Sequence, residues 1–130
     1  MPPAKKPPAM VHLFTSRGDF SALVSFPYLY NAEGDWIGWV SERQEVFNLE
    51  GEYAGWLSED HRILRRRSVE LGERTMPPPA APQPRKIHPP AVVPLPPLMI
   101  EYSHDVMDVL EERPSLLHTQ DMGETRPDMD

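Results

Sequence analysis

The chain contains no cysteine. Disulfide staples, thiolate metal centres and cysteine nucleophiles are therefore excluded together. No apolar run approaches the ~20 residues that a membrane-spanning helix needs. The opening Met1-Pro2-Pro3-Ala4-Lys5-Lys6-Pro7-Pro8 carries two lysines but no apolar stretch after them. It does not read as a secretory signal, and cytoplasmic residence is the default expectation. There is no glycine-rich phosphate loop and no positioned Ser-His-acid set, so the expectation is a protein that is not an enzyme. Glycine is scarce, with 7 in 130 residues, but its placement is informative.

What is present is a repeat of 16 to 17 residues. Tyr30 to Glu42 aligns with Phe47 to Glu59, and seven of the thirteen positions are identical. A weaker copy runs from Phe14 to Val24, and a fourth begins at Leu64 but breaks off in Arg65-Arg66-Arg67. A fixed period of this length indicates a repeat architecture. Each copy reads as a β-hairpin. A strand enters, Gly18, Gly34 or Gly51 makes the turn, and an aromatic-rich strand returns. Gly38 and Gly55 lie inside returning strands, where glycine marks a bulge or a close approach by another backbone. The predicted strands cover 10–15, 20–25, 28–32, 36–41, 45–49, 53–58 and 61–66. The fold class is all-β, a meander of repeated hairpins.

Tyr30, Trp36, Trp39, Phe47, Tyr53 and Trp56 are the repeated aromatics and the candidate core of a domain with little else to bury. The alternative is a ligand site in which Trp36, Trp39, Tyr53 and Trp56 cage a cation or stack on sugar, as in choline- and glucan-binding repeats.

The seventh strand lacks a mate and leaves an edge that must be covered or charged. Arg65, Arg66 and Arg67 supply charge. A return of the tail, for instance Ala91-Val92-Val93, or a neighbouring chain would also complete the hairpin.

The 17 prolines concentrate outside the repeats, with ten of them between residues 77 and 97. The domain plan is a disordered arm over 1–9, the repeat domain over 10–68, a proline-rich spacer over 69–97, an amphipathic segment over 98–113 and a disordered acidic tail over 114–130. Within 98–113, Met99, Tyr102, Val106, Val109 and Leu110 fall at helical spacing, so a short helix ending at Pro114 is predicted. Pro94-Leu95-Pro96-Pro97-Leu98 also fits the pattern of a polyproline ligand.

The net charge of −7 sits entirely in residues 91–130, because residues 1–90 carry 11 basic and 11 acidic groups. An acidic tail argues against nucleic-acid partners. The basic zone Arg62, Arg65, Arg66, Arg67, Arg74, Arg85 and Lys86 has no aromatics interleaved, which is the same conclusion from the other side. Five scattered histidines and a single Glu101-x-x-His104 fall short of a metal set, so no metal or cofactor is expected.

Residues 11–67 resemble the four-fold β-flower, a small bacterial domain of hairpin petals around a pseudo-four-fold axis. Tyr30, Gly34, Trp36, Gly38 and Trp39, then Phe47, Gly51, Tyr53, Gly55 and Trp56, then Ile63, Leu64 and the arginines carry the likeness. A proline-rich tail after the basic strand is similar too. The resemblance implies a fold and no activity.

The functional expectation is an interaction or tethering module for a protein partner or for self-association. It would use strand addition along Arg65, Arg66 and Arg67, and burial of the stripe Met99, Tyr102, Val106, Val109 and Leu110.

Overall fold

The structure is a computed structural model, and it describes residues 10–67, 76–77, 79, 81–82, 86–88 and 90–119. The arm over 1–9, the whole of 68–75 and the residues from 120 onward lie outside the described residues. Eight strands form one antiparallel sheet in chain order. They are β1 (Met10–Phe14), β2 (Phe20–Ser25), β3 (Tyr28–Asn31), β4 (Trp36–Val40), β5 (Glu45–Asn48), β6 (Tyr53–Leu57), β7 (Ile63–Arg66) and β8 (Val106–Asp108). A four-residue helix α1 (Val109–Glu112) and a 3-10 turn (Pro114–Leu116) follow. The seven strands read from the repeats are present with ends shifted by at most two residues.

The sheet curls because each of the first three hairpins carries the same bulge. Leu13 pairs with Ala22 but Phe14 with Phe20; Leu29 pairs with Gly38 but Tyr30 with Trp36; Val46 pairs with Gly55 but Phe47 with Tyr53. The extra residues are Ser21, Ile37 and Ala54, one repeat apart. A bulge bends its strand and raises the local twist, so three in step close a flat meander toward a half-barrel. Beside the bulge the next strand comes very near. A Cβ on Gly38 would lie 2.3 Å from the Phe47 carbonyl oxygen, and one on Gly55 the same distance from that of Leu64.

One turn design recurs five times, at Thr15–Asp19, Asn31–Asp35, Ser41–Glu45, Asn48–Glu52 and Ser58–Arg62. The first amide donates to the fifth carbonyl at 2.8–2.9 Å, and the fourth amide to the first carbonyl at 2.8–3.1 Å. The first residue's side-chain oxygen accepts the amide of the fifth, as Asn31 does from Asp35 at 2.9 Å and Ser41 from Glu45 at 3.2 Å. The fourth position is left-handed throughout, at Gly18, Gly34 and Gly51 but also at Gln44 (φ 67°) and His61 (φ 63°). The turns at 41–45 and 58–62 join one hairpin to the next. Their carbonyls, with that of Pro27 in the first link, fasten neighbouring hairpins together. Val40 donates to Pro27 at 2.7 Å, Leu57 to Gln44 at 2.9 Å, and Phe14 from the first hairpin to His61 at 2.8 Å. The last of these brings β1 back onto the β6–β7 link.

Leu13, Val24, Leu29, Ile37, Val40, Val46, Ala54 and Ile63 form the central aliphatic cluster, completed by Met107, Val109 and Leu117 from the tail. Each such side chain contributes about 1.5–3 kcal/mol when fully buried. Those three tail residues together therefore match a good part of the 5–15 kcal/mol that holds a typical domain.

The predicted short C-terminal helix is present and ends before Pro114, but it covers only Val109–Glu112 of the 98–113 segment. From Val93 to Ser103 the chain is neither helix nor strand, β8 pairs with β7, and α1 begins only after Asp108, whose carboxylate accepts the Glu111 amide at 3.3 Å. The unpaired backbone of β7 outweighs the helical spacing, and β-branched Val106 suits a strand. The edge expected to be open is therefore paired, Leu64 with Asp108, Arg65 with Met107 and Arg66 with Val106. Ala91, Val92 and Val93 take no part in this pairing and are exposed.

Nor is the proline-rich stretch a free spacer. The Met76 amide donates to the Gly51 carbonyl at 2.9 Å, and the Ile87 amide to that of Gly34 at 2.8 Å. A Cβ on Gly18 would touch Pro96 at 3.4 Å. The tail thus meets the three glycine turns in reverse chain order before β8 joins β7. Polyproline-type backbone makes no internal hydrogen bonds, so its amides are free for such contacts.

Candidate functional site

The densest polar cluster lies where the tail, the first hairpin and the β6–β7 link meet. Arg62 and Asp60 form an ion pair at 2.5 Å with side chains 8 % and 1 % exposed. Arg62 also donates to Ser16 Oγ at 2.8 Å and to the Ile100 carbonyl at 2.7 Å. Its guanidinium lies 5.4 Å from the centre of the Tyr102 ring. Asp60 accepts from the Ser58 hydroxyl and from the Ile100 amide at 2.9 Å. Asp108 accepts from both the amide and the hydroxyl of Ser16, at 2.5 and 2.7 Å. Burial pushes the Asp60 carboxyl up, but the hydrogen bonds from Arg62, Ser58 and Ile100 outweigh it and hold the group below its ordinary 3.8. Ser58 and Asp60 belong to a repeated turn, whereas Ile100 and Asp108 come from the tail, so the cluster is a clasp between repeat and tail. A cleft of about 570 Å³ opens beside it, bordered by Arg62, Met99, Tyr102, Val106 and Glu111.

The residues expected to bind a partner are brought to this same side, largely in the service of the fold. Arg65 is 1 % exposed; it donates to the Tyr53 carbonyl at 2.9 Å and lies 5.7 Å from the Tyr53 ring centre. Arg66 is exposed and 3.5 Å from Asp105. Arg67 grips Glu112 with two nitrogens, at 2.7 and 3.0 Å, and donates to the His104 carbonyl at 2.7 Å. The hydrogen bond from Arg67 lowers the Glu112 pKa. Val109 is fully buried and Leu110 packs against the core. Val106 and Met99 are half-buried, and Tyr102 is 42 % exposed. The apolar stripe read as a partner surface is thus mostly spent on the molecule's own sheet.

The repeated aromatics sit on paired strands rather than in the aliphatic centre. Trp39 stacks on its register partner Phe47, with ring centres 4.7 Å apart and planes 20° apart. Phe47 meets Tyr53 edge-on at 6.0 Å, and Trp36 meets Tyr28 edge-on at 6.2 Å. Tyr30, Trp39 and Phe47 are buried, while Trp36, Tyr53 and Trp56 are half-buried. Burial raises the Tyr30 pKa, helped by neighbouring Tyr28. A second cleft, of about 560 Å³, is bordered by Trp39, Phe26, Glu45 and Met76. The buried Trp39 indole N–H has no acceptor among the described residues. Among the described residues no three His, Asp or Glu side chains are grouped to hold a metal ion.

A different row of residues faces outward. Val92, Leu95 and Leu98, three apart in sequence, are 81, 91 and 94 % exposed. Pro97 and Met99 between and beyond them are half-buried. Sequence reasoning noted the polyproline pattern here but not its fixed presentation. The signal for that was the three-residue spacing of the apolar side chains.

Four antiparallel hairpins, curled by bulges around one aliphatic centre, define a small all-β hairpin-repeat domain. The model of the 4-fold beta flower protein family matches residues 11–109, and the chain belongs to that family. The match runs through the proline-rich stretch to β8, so the tail as far as residue 109 lies within the matched region. No curated protein and no solved structure matches the chain. Among the described residues no helix is long and apolar enough to cross a membrane.

Proposed function

We propose that the chain is a non-enzymatic protein-interaction module whose working surface is the outer face of its tail. One observation carries this reading: Val92, Leu95 and Leu98 stand in water while the chain on either side of them is fastened, at Ile87 to Gly34 and at Ile100 to Asp60. Exposed large apolar side chains cost solubility and are uncommon in a row unless something covers them. Of the two surfaces first expected to bind, the β7 edge is paired with β8 and the 98–112 stripe is partly buried within the domain, which moves the proposal to this ridge. The polar cluster supports a structural role, because Asp60 and Arg62 direct their hydrogen bonds to partners inside the fold.

The test is site-specific photocrosslinking in the host cell. A photoreactive residue at Leu95 is expected to give a discrete protein adduct, whereas the same residue at Glu33, on the tip of the second hairpin, gives none. Equal yields from the two positions contradict the reading.

The small-ligand alternative keeps one observation in its favour, the Trp39-bordered cleft with its unsatisfied indole N–H. The stacking of Trp39 on Phe47 argues against an aromatic cage, since the ring face is already occupied. A shift of tryptophan emission on adding choline or an oligosaccharide would favour it.

A further inference from the structure

Resting on that interaction reading, we infer that the partner is a protein groove lined with aromatic side chains that reads an extended proline helix, and that Val92, Leu95 and Leu98 are the side chains it receives. Pro94, Pro96 and Pro97 fix their own φ near −65°, and each proline drives the residue before it out of the helical region. Val93 to Pro97 is thereby strongly biased to polyproline II geometry. That helix has three residues per turn. Side chains three apart project in one direction along it, and Leu95 and Leu98, with Val92 at the bend just before it, are the three most exposed large apolar residues among the described residues. Pro97 and Met99, out of phase with that row, are half-buried, and exposed Pro96 passes over the first glycine turn, 3.4 Å from where a Cβ on Gly18 would sit. The segment therefore leans on the domain through Pro97 and Met99 and offers the side with Leu95 and Leu98 to a partner.

Grooves that bind such helices gain affinity because the ligand has little conformational entropy left to lose. Here the restriction is doubled, since the segment is stiff by sequence and is held at Ile87 and at Ile100.

Other occupants fit less well. A stable dimer buries roughly 800 Å² on each partner, far more than three side chains supply. A membrane surface calls for basic residues among the apolar ones, and residues 87–100 contain no lysine or arginine.

The experiment titrates the nitrogen-15-labelled full chain with a panel of purified SH3 and WW domains as probes. At least one domain is expected to shift the amides of Ala91, Val92, Val93, Leu95, Leu98 and Met99 and leave those of β1–β6 in place. Two double variants sharpen the result. L95D/L98D removes two side chains that are more than nine-tenths exposed, so its thermal midpoint stays at the wild-type value. P94G/P97G keeps the apolar row but frees the backbone. Each is expected to weaken binding at least tenfold. Absence of any shift at 91–99 across the panel overturns the inference, as does binding that P94G/P97G leaves intact. A dimer in sedimentation that L95D/L98D dissolves, or co-flotation with phosphatidylglycerol vesicles, overturns it too. The Leu95 crosslink separates the two levels. An adduct of undiminished yield in P94G/P97G sinks the proline-groove inference and leaves the interaction module standing, whereas loss of any adduct in the wild type sinks both.

Discussion

Three of the hairpins and the fourth reach similar geometry by opposite routes. β1–β2, β3–β4 and β5–β6 are each closed by a five-residue turn with glycine in the left-handed position. β7–β8 is closed only after the chain has passed residues 67 to 105. Loop-closure entropy grows with the logarithm of length, so the long route costs about 2 kcal/mol more than a tight turn. Two features offset that cost. Proline restricts the unfolded tail before it ever docks, and the tail is fastened on its way at Gly51, Gly34 and Asp60. The short hairpins are specified by residues adjacent in sequence. The long one is specified by surfaces that exist only once the others have folded.

The strongest way to break the comparison is to remove the long route. A chain ending at Thr75 loses β8 together with the core residues Met107, Val109 and Leu117. Their burial is worth about 1.5–3 kcal/mol each, so this chain is expected to lose its cooperative thermal transition and to bind the hydrophobic dye ANS. An unchanged midpoint would mean that the three short hairpins and β7 stand alone.

Next comes the clasp. Asp60→Ala leaves Arg62 buried without its carboxylate, a change that costs about 3–5 kcal/mol in comparable pairs; urea unfolding measures it. Because the Asp60 pKa is lowered in the folded state, its contribution is fully present above the ordinary carboxylate range near pH 4 and fades as pH falls through the lower folded value. Acid should therefore destabilise the wild type by a component that the variant lacks.

A smaller effect compares two turns of one design. Gly34→Ala meets left-handed strain (φ 92°) and would place its Cβ 1.9 Å from the Ile87 carbonyl oxygen, so the tail must lift. Gly18→Ala meets the same strain (φ 89°) but only a 3.4 Å contact with Pro96. Strain alone is worth about 1–2 kcal/mol, and the lost tail hydrogen bond adds about 1 kcal/mol at Gly34. Melting curves should rank Gly34→Ala clearly below Gly18→Ala; equal losses would mean the tail does not rest on Gly34.

The smallest effect is a gain. Exposed Gln44 holds φ 67° in the same turn position, so Gln44→Gly should stabilise by about 0.5 kcal/mol, the relief of strain less the extra chain entropy of glycine. His61→Gly should gain less, because the His61 ring also contacts the His12 carbonyl at 3.0 Å.

The same contrast explains what could be read beforehand. Seven strands and the bulge glycines Gly38 and Gly55 were legible because alternating side chains and glycine placement are local signals. The turns at Gln44 and His61 were missed as members of the series because they lack glycine. Their signal was Ser41 and Ser58, which stand where Thr15, Asn31 and Asn48 stand in the others. β8 was illegible. Val106, Val109 and Leu110 keep a helical period, and only the backbone of β7, some forty residues earlier, makes Val106 and Met107 a strand. The clasp was equally hidden, since Asp60, Arg62, Ser16 and Asp108 share no spacing and meet only through the fold. The outward row Val92, Leu95 and Leu98 was half legible: prolines announced the helix type, but which face would remain free depended on Pro97 and Met99 settling against the domain.

Whether repeat and tail form one cooperative body is answered by native-state hydrogen exchange on the full chain. The account predicts that the bonded amides of β7 and β8 exchange with the same opening free energy as those of β3 and β4. Exchange of β8 at the rate of a free chain, beside protected β1 to β6, would contradict it.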